Sequence, residues 1–205
     1  MISFTLGNAT GSLIFDSDGT VLNSLGIKRS ISSEVFRELG FNDWASIGSE
    51  FANMSGSRAS KIKILEQIHG QTIDSARFDE LFTDCLLQKA SEIEIREGLQ
   101  ELRERSVSNC WYLLTNGSQD ETRKLYKRLG IDQLFDGGIW GSPSDKSAHI
   151  DRLDFGPGDL MISDSREDYL LSQKFHIPFA YLAGWNTEND AAYFDAAGIT
   201  PHFSL

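Results

Sequence analysis

Cys85 and Cys110 are the only thiols in this 205-residue chain. They lie far apart and match no metal or redox spacing, so a disulfide framework is not expected. Both read as small packing residues of a reducing, cytoplasmic compartment. Positive charge is scarce as well: 19 Lys and Arg face 30 Asp and Glu, for a formal charge of −11. That balance argues against nucleic acid or an anionic membrane as partner. No apolar run approaches the ~20 residues needed to span a bilayer. The opening MISFTLGNATGS has no basic stretch and no long apolar one, so a secretory leader is not expected. Neither G-x-x-x-x-G-K nor G-x-G-x-x-G occurs, which removes the usual glycine-loop signs of nucleotide binding. The four histidines, His69, His149, His176 and His202, show no metal-ligand spacing.

What is present fits a globular protein with one sizeable core: 40% of the residues are hydrophobic and 24% charged. Residues 12 to 16 read as a short buried strand ending in acid. From about Ile27 to Ala90 the pattern is helical. Ile31, Val35, Phe36 and Leu39 form one apolar stripe, with Gly40 as its stop. Ile62, Leu65 and Ile68 form a second, with Ser57 as N-cap and Gly70 as stop. Phe78, Leu81, Phe82 and Cys85 form a third.

Beyond residue 92 the rhythm alternates. Helical LQELRERS precedes the apolar strand CWYLLT, residues 110 to 115, and QDETRKLYKRLG precedes a short GGIWG segment. KSAHIDRL precedes the strand DLMISD, residues 159 to 164, and REDYLLSQKFH precedes PFAYLAG. Such alternation predicts an α/β fold: a Rossmann-like parallel sheet covered on both faces. Residues 1–22 and 92–205 are expected to form this core, with 23–91 inserted as an all-helical cap.

Three strands end in polar residues: Asp16 after LIF, Thr115 and Asn116 after CWYLL, and Asp164 after LMIS. Parallel strands bring those ends to one rim, where such sheets bind ligands. Asp16 and Asp18 are one residue apart and repel each other unless a cation or open surface relieves them. An Asp-Gly pair alone is an ordinary turn; the other strand ends favour a shared site. Mg2+ takes one or two carboxylates with substrate oxygens, and Asp16 and Asp164 supply two, with a backbone oxygen near Asp18 as a third. Asp16 is placed to act as a nucleophile. Asp18 is placed to act as general acid and base, which requires its pKa to be raised by acidic neighbours. Thr115, the N–H groups of Asn116 and Gly117, and Lys146 are candidates for holding phosphate. Asp168 is a candidate for orienting Lys146 or a metal-bound water. Arg58 is the one cation beside a Gly-Ser break in the insertion. It reads either as a surface helix arginine or as a contact to a substrate carboxylate or second phosphate. Trp185 and Asn186 follow the last strand and read either as rim residues or, for the tryptophan, as a packing residue.

Taken in order, FDSDGTVLNS, LLTNGS, Lys146 in GSPSDKSAHI, and ISDSREDYL resemble the four motifs of the haloacid dehalogenase superfamily. The likeness is greatest to its phosphoglycolate-phosphatase-like branch, in which a helical cap follows the first motif, and it covers nearly the whole chain. The resemblance implies a Mg2+-dependent phosphatase acting on a small phosphorylated metabolite through an aspartyl-phosphate. It makes Asp16 the nucleophile and Asp18 the acid/base, puts Thr115 and Lys146 on phosphate, and puts Asp16, Asp18 and Asp164 on metal. A phosphosugar mutase of the same architecture is the alternative, and a non-catalytic phosphate-binding protein the third reading. Three positions depart from the pattern: Asn23 follows the first motif, Pro143 precedes rather than follows the lysine, and Ser163 stands where glycine is common. None removes a required functional group.

Overall fold

The computed structural model describes residues 10–54, 56–185, 188–203 and 205. The chain opens with β1 (Leu13–Phe15) and β2 (Leu22–Asn23). Four helices follow: α1 (Leu25–Glu38), α2 (Trp44–Asn53), α3 (Arg58–His69) and α4 (Ser75–Gln88). The chain returns through β3 (Glu94–Ile95) to α5 (Leu99–Arg105), β4 (Trp111–Ser118) and α6 (Gln119–Leu129). It continues as β5 (Gly138–Ser142), α7 (Lys146–Leu153), β6 (Leu160–Ser163), α8 (Arg166–Lys174), β7 (Phe179–Tyr181) and α9 (Glu188–Ala196).

β5, β4, β1, β6 and β7 form, in that order, one sheet in which every pairing is parallel. Strand side chains alternate between two buried faces. Leu13, Phe15, Leu113 and Ile162 enter one apolar cluster, while Ile14, Leu114 and Met161 enter another. The first cluster runs on into the helical insertion, where Phe36, Phe51, Phe78 and Phe82 pack ring against ring. One continuous core therefore joins sheet and insertion.

β2 and β3 form a two-stranded antiparallel ribbon, Leu22 opposite Ile95 and Asn23 opposite Glu94, and the four helices stand between its strands. This ribbon was not expected from the sequence; helix α2 lies within the stretch read as helical, without having been singled out. The α3 stripe holds at Ile62 and Leu65 but fails at Ile68, which is exposed. Ser57 caps α3 by accepting from the Ser60 N–H, and Gly70 ends it in the left-handed region, both as predicted. Strand β4 runs past Thr115 to Ser118, so Asn116 and Gly117 belong to its irregular end. Among the described residues no helix is long and apolar enough to cross a membrane.

Candidate active site

The strand order reverses beside β1: β4 and β5 lie to one side, β6 and β7 to the other. Asp16 and Asp164 emerge from the carboxyl ends of the adjacent strands β1 and β6, where Phe15 stands opposite Ile162. The loop after Asp16 turns back sharply. The Val21 and Leu22 N–H groups both donate to the Ser17 carbonyl, and Gly19 N–H donates to Leu22 O at 2.9 Å. Gly19 has φ +83°, and a Cβ there would overlap the Asp164 carboxylate. Glycine is thus required both for the turn and for the approach of this acid.

Asp164 is fixed by Thr20. The Thr20 hydroxyl donates to Asp164 Oδ1 at 2.8 Å and accepts from the Asp164 N–H at 3.1 Å. Burial pushes the Asp164 carboxyl up to about 8, and the charge of Asp16 adds to the rise. Burial likewise raises Asp16 to about 7, with Lys146 opposing and Asp168 and Asp18 reinforcing. Two neighbouring carboxyls thus share a buried corner short of positive charge.

Lys146 opens α7, where the Asp145 side chain caps the helix by accepting from Ala148 N–H. Its ammonium donates to Asp16 Oδ1 at 2.7 Å and to both Asp168 oxygens at 2.8 Å. Asp168 is further held by the Ser163 hydroxyl at 2.6 Å. Although burial opposes it, the two acids hold the Lys146 ammonium well above its ordinary value. Asp16 Oδ2 takes no hydrogen bond among the described residues. Thr115 is buried within β4, three residues before its end, and accepts from the Gly117 N–H at 3.0 Å. Asn116 lies near Lys146 and Asp168, lining a common recess with them.

Asp18 departs from expectation. Its carboxylate accepts from Lys28 Nζ at 2.6 Å and from the Ser24 hydroxyl. Burial pushes its pKa up, but the charge of Lys28 and these hydrogen bonds outweigh it, leaving the pKa below the usual carboxylate value. The predicted rise is therefore reversed in this state, because Lys28 from α1 reaches down to the acid.

Arg58 also differs from the binding role considered for it. Its guanidinium donates to Asp79 at 2.8 Å and to both oxygens of Glu121 at 2.8 and 2.9 Å. It stacks over Phe82 at 4.1 Å, and the Thr83 hydroxyl adds a bond to Glu121 at 2.7 Å. Arg58 thus links α3 and α4 to α6, and its charge is already answered. Between insertion and sheet lies a cavity of about 290 Å³, with Asp18, Asn116 and Gly117 below and Lys28, Arg58 and Lys61 above.

Sequence reasoning did not single out Thr20, Lys28 or Arg96. Arg96 is buried and donates to the carbonyls of Gly19 at 2.8 Å, Thr20 at 2.9 Å and Ala183 at 3.1 Å. Burial lowers it to about 10, opposed by Asp164 and Glu94, so it stays charged at neutral pH. Trp185 lies over its guanidinium at 3.7 Å, while Asn186 falls outside the described residues. The signal for Thr20 was the conspicuous D-x-D-G-T element itself; nothing local marks Arg96.

Among the described residues, no three His, Cys, Asp or Glu side chains converge on one point. A donor set of two carboxylates is nevertheless what a hard divalent cation uses with main-chain oxygen, water and substrate. The raised pKa values of Asp16 and Asp164 mark an excess of negative charge that such an ion would neutralise.

Solved structures share this architecture. A haloacid dehalogenase-like hydrolase from Streptococcus pneumoniae superposes with a TM-score of 0.65 at 21% identity, over 92% of each chain. The chain has the haloacid dehalogenase-like fold. A protein from Haemophilus somnus, described as a predicted phosphoglycolate phosphatase, gives 0.66 at 15% identity over 87% of each chain. A haloacid dehalogenase family hydrolase from Deinococcus radiodurans, solved with bound phosphate and sodium, gives 0.60 at 16% identity, covering 97% of this chain and 92% of its own. No family model and no curated protein matches the sequence.

Proposed function

We propose that the protein is a Mg2+-dependent phosphatase of small phosphorylated metabolites. The observation that carries this reading is the Asp16–Lys146–Asp168 chain beside Asp164, at the carboxyl edge of the sheet. Haloacid dehalogenase-like neighbours, one described as a predicted phosphatase and one holding phosphate, support it.

Asp16 attacks phosphorus through the oxygen that Lys146 does not hold. The bond to the leaving oxygen breaks as an aspartyl-phosphate forms. Asp18 gives its proton to the leaving oxygen, then takes one from the water that attacks the aspartyl-phosphate and frees inorganic phosphate. Lys146, kept charged by Asp168, and the hydroxyl of Thr115 donate to the phosphoryl oxygens. Asn116 and Gly117 offer N–H groups at the same edge. Asp16, Asp164 and the main-chain oxygen of Asp18 would hold Mg2+, which supplies neutralising charge for the phosphoryl group. Lys28 must release Asp18 before the acid step, which ties proton transfer to a movement of α1. The helices of 23–91 act as the cap that closes over substrate and excludes bulk water.

The test uses an aryl phosphate and Mg2+. Wild-type protein is expected to release inorganic phosphate, and Asp16→Asn to lose at least about 10³-fold in kcat with its circular dichroism unchanged. Full turnover by that variant overturns the assignment of Asp16. No release by the wild type under any divalent ion, on aryl or sugar phosphates, favours a non-catalytic phosphate binder. An isomerised sugar phosphate in place of inorganic phosphate would identify a mutase.

A further inference from the structure

Arg96 is a buried cation for which the proposed chemistry has no use. Its side-chain hydrogen bonds among the described residues all go to main-chain carbonyls. Nη2 donates to Gly19 at 2.8 Å, Nε to Thr20 at 2.9 Å, and Nη1 to Ala183 at 3.1 Å and Phe203 at 3.5 Å. Only 5% of the residue is exposed, and Trp185 lies over the guanidinium at 3.7 Å. Burying such a charge is unfavourable unless its donors are answered, and an apolar side chain would fill the space with less penalty. The carbonyls it selects are therefore informative. Gly19 and Thr20 are the two residues of the turn that touch Asp164. A Cβ on Gly19 would overlap the Asp164 carboxylate, and the Thr20 hydroxyl bonds it at 2.8 Å. Thr20 is thus held at both ends, its carbonyl by Arg96 and its hydroxyl by Asp164.

Resting on the phosphatase reading, we propose that Arg96 is a positioning residue of the metal site: it fixes Gly19 and Thr20 by their carbonyls and, through the Thr20 hydroxyl, sets Asp164 for Mg2+. Lysine carries the same charge on one nitrogen and cannot span the carbonyls of Gly19, Thr20 and Ala183 together. Charge and geometry act here with opposite sign. Among the acids, Asp164 pulls most strongly on Arg96. As a bare charge Arg96 competes with Mg2+ for that carboxylate, so removing it would tighten metal binding. As a brace, removing it lets Asp164 swing and weakens metal binding.

Calorimetric titration with Mg2+ reads that sign. Arg96→Met is expected to raise Kd about tenfold, and Arg96→Lys, which keeps the charge, to raise it several-fold. Combining Arg96→Met with Thr20→Val should weaken binding no more than about twofold beyond the worse single variant, since both act on one carboxylate. An unchanged Kd with a lower Tm would make Arg96 merely structural, and a tighter Kd would make it a bare charge; either overturns the proposal. Multiplied losses in the double variant overturn the relay through Thr20. Should Arg96→Met fail to fold, Arg96→Lys decides alone, and a wild-type Kd in it overturns the brace. Amide exchange followed by NMR without metal separates this from failure of the metal reading. The Asp164 N–H, bonded to Thr20 Oγ1 at 3.1 Å, should exchange about tenfold faster in Arg96→Lys. The Asp16 N–H, bonded to Ile162 O at 3.0 Å, should keep its rate. If the wild type binds no Mg2+, the metal reading falls and this comparison decides the brace: an unchanged Asp164 rate, or an equal rise at both amides, overturns it.

Discussion

Thr20 makes two hydrogen bonds to Asp164, one through its hydrogen and one through its lone pair. Valine has the same shape and neither bond. Thr20→Val is expected to weaken Mg2+ binding by about tenfold to a hundredfold, because the carboxylate loses the group that orients it. Calorimetric titration with Mg2+ checks this, and an unchanged Kd would detach Thr20 from the proposed metal site. At this scale the sequence was legible where chemistry is carried by residue type. Asp16, Asp164, Thr115 and Lys146 are all drawn to the predicted rim of the sheet. Partners were not legible. Lys28 meets Asp18 ten residues away across a turn, and Arg96 meets Gly19 across the whole insertion. No local pattern encodes such contacts, which arise only once the ribbon closes.

Between elements, the link from α3 to α6 through Arg58 and Glu121 is the best-enclosed ion pair joining insertion to core. The Glu121 side chain is 4% exposed and that of Arg58 15%. Removing the cation leaves a buried carboxylate whose one remaining side-chain hydrogen bond, among the described residues, comes from Thr83. Arg58→Met is therefore expected to cost about 3 kcal/mol in urea unfolding. Adding Glu121→Leu should recover most of that loss, since an apolar pair replaces an ionic one. Additive losses would show that the two residues do not act as a unit. The helices of the insertion were readable where apolar residues recur at three and four. Helix α2 falls inside the stretch read as helical but was not singled out, since WASIGSEFAN interleaves its apolar residues with Ser, Gly and Asn. Its Ile47 and Phe51 nonetheless make a buried i, i+4 pair, and Gly48 lets α1 come close at Ser33. The exposed Ile68 is the opposite error, an apolar residue in period with no facing partner.

For the whole molecule, the parallel sheet followed from alternation alone, since both faces of β1, β4 and β6 are covered. The charge distribution did not follow, because a net value of −11 hides both the acidic corner and the cationic recess above it. The acidic corner predicts how the fold responds to metal. At about a hundred times its Kd, Mg2+ should add about 2.7 kcal/mol. For a chain of this size that raises Tm by roughly 5–10 °C. Asp164→Asn should abolish the rise while matching or exceeding the wild-type Tm in chelator at neutral pH, because it removes a carboxyl whose ionisation burial opposes. Differential scanning calorimetry with and without chelator reads both effects, and an equal Mg2+ response in the variant would place the ion elsewhere.

Arg96 leaves the ribbon directly after β3, and its backbone N–H donates to Val21 O at 2.8 Å. Its side chain meanwhile grips the carbonyls of Gly19 and Thr20. The stalk on which the helices stand is thereby spliced to the turn that carries the acids. A graft that exchanges the helical insertion for another must therefore transplant residues 17–22 and 94–96 as a single piece. A junction cut between them would unseat the acids even if every helix folded.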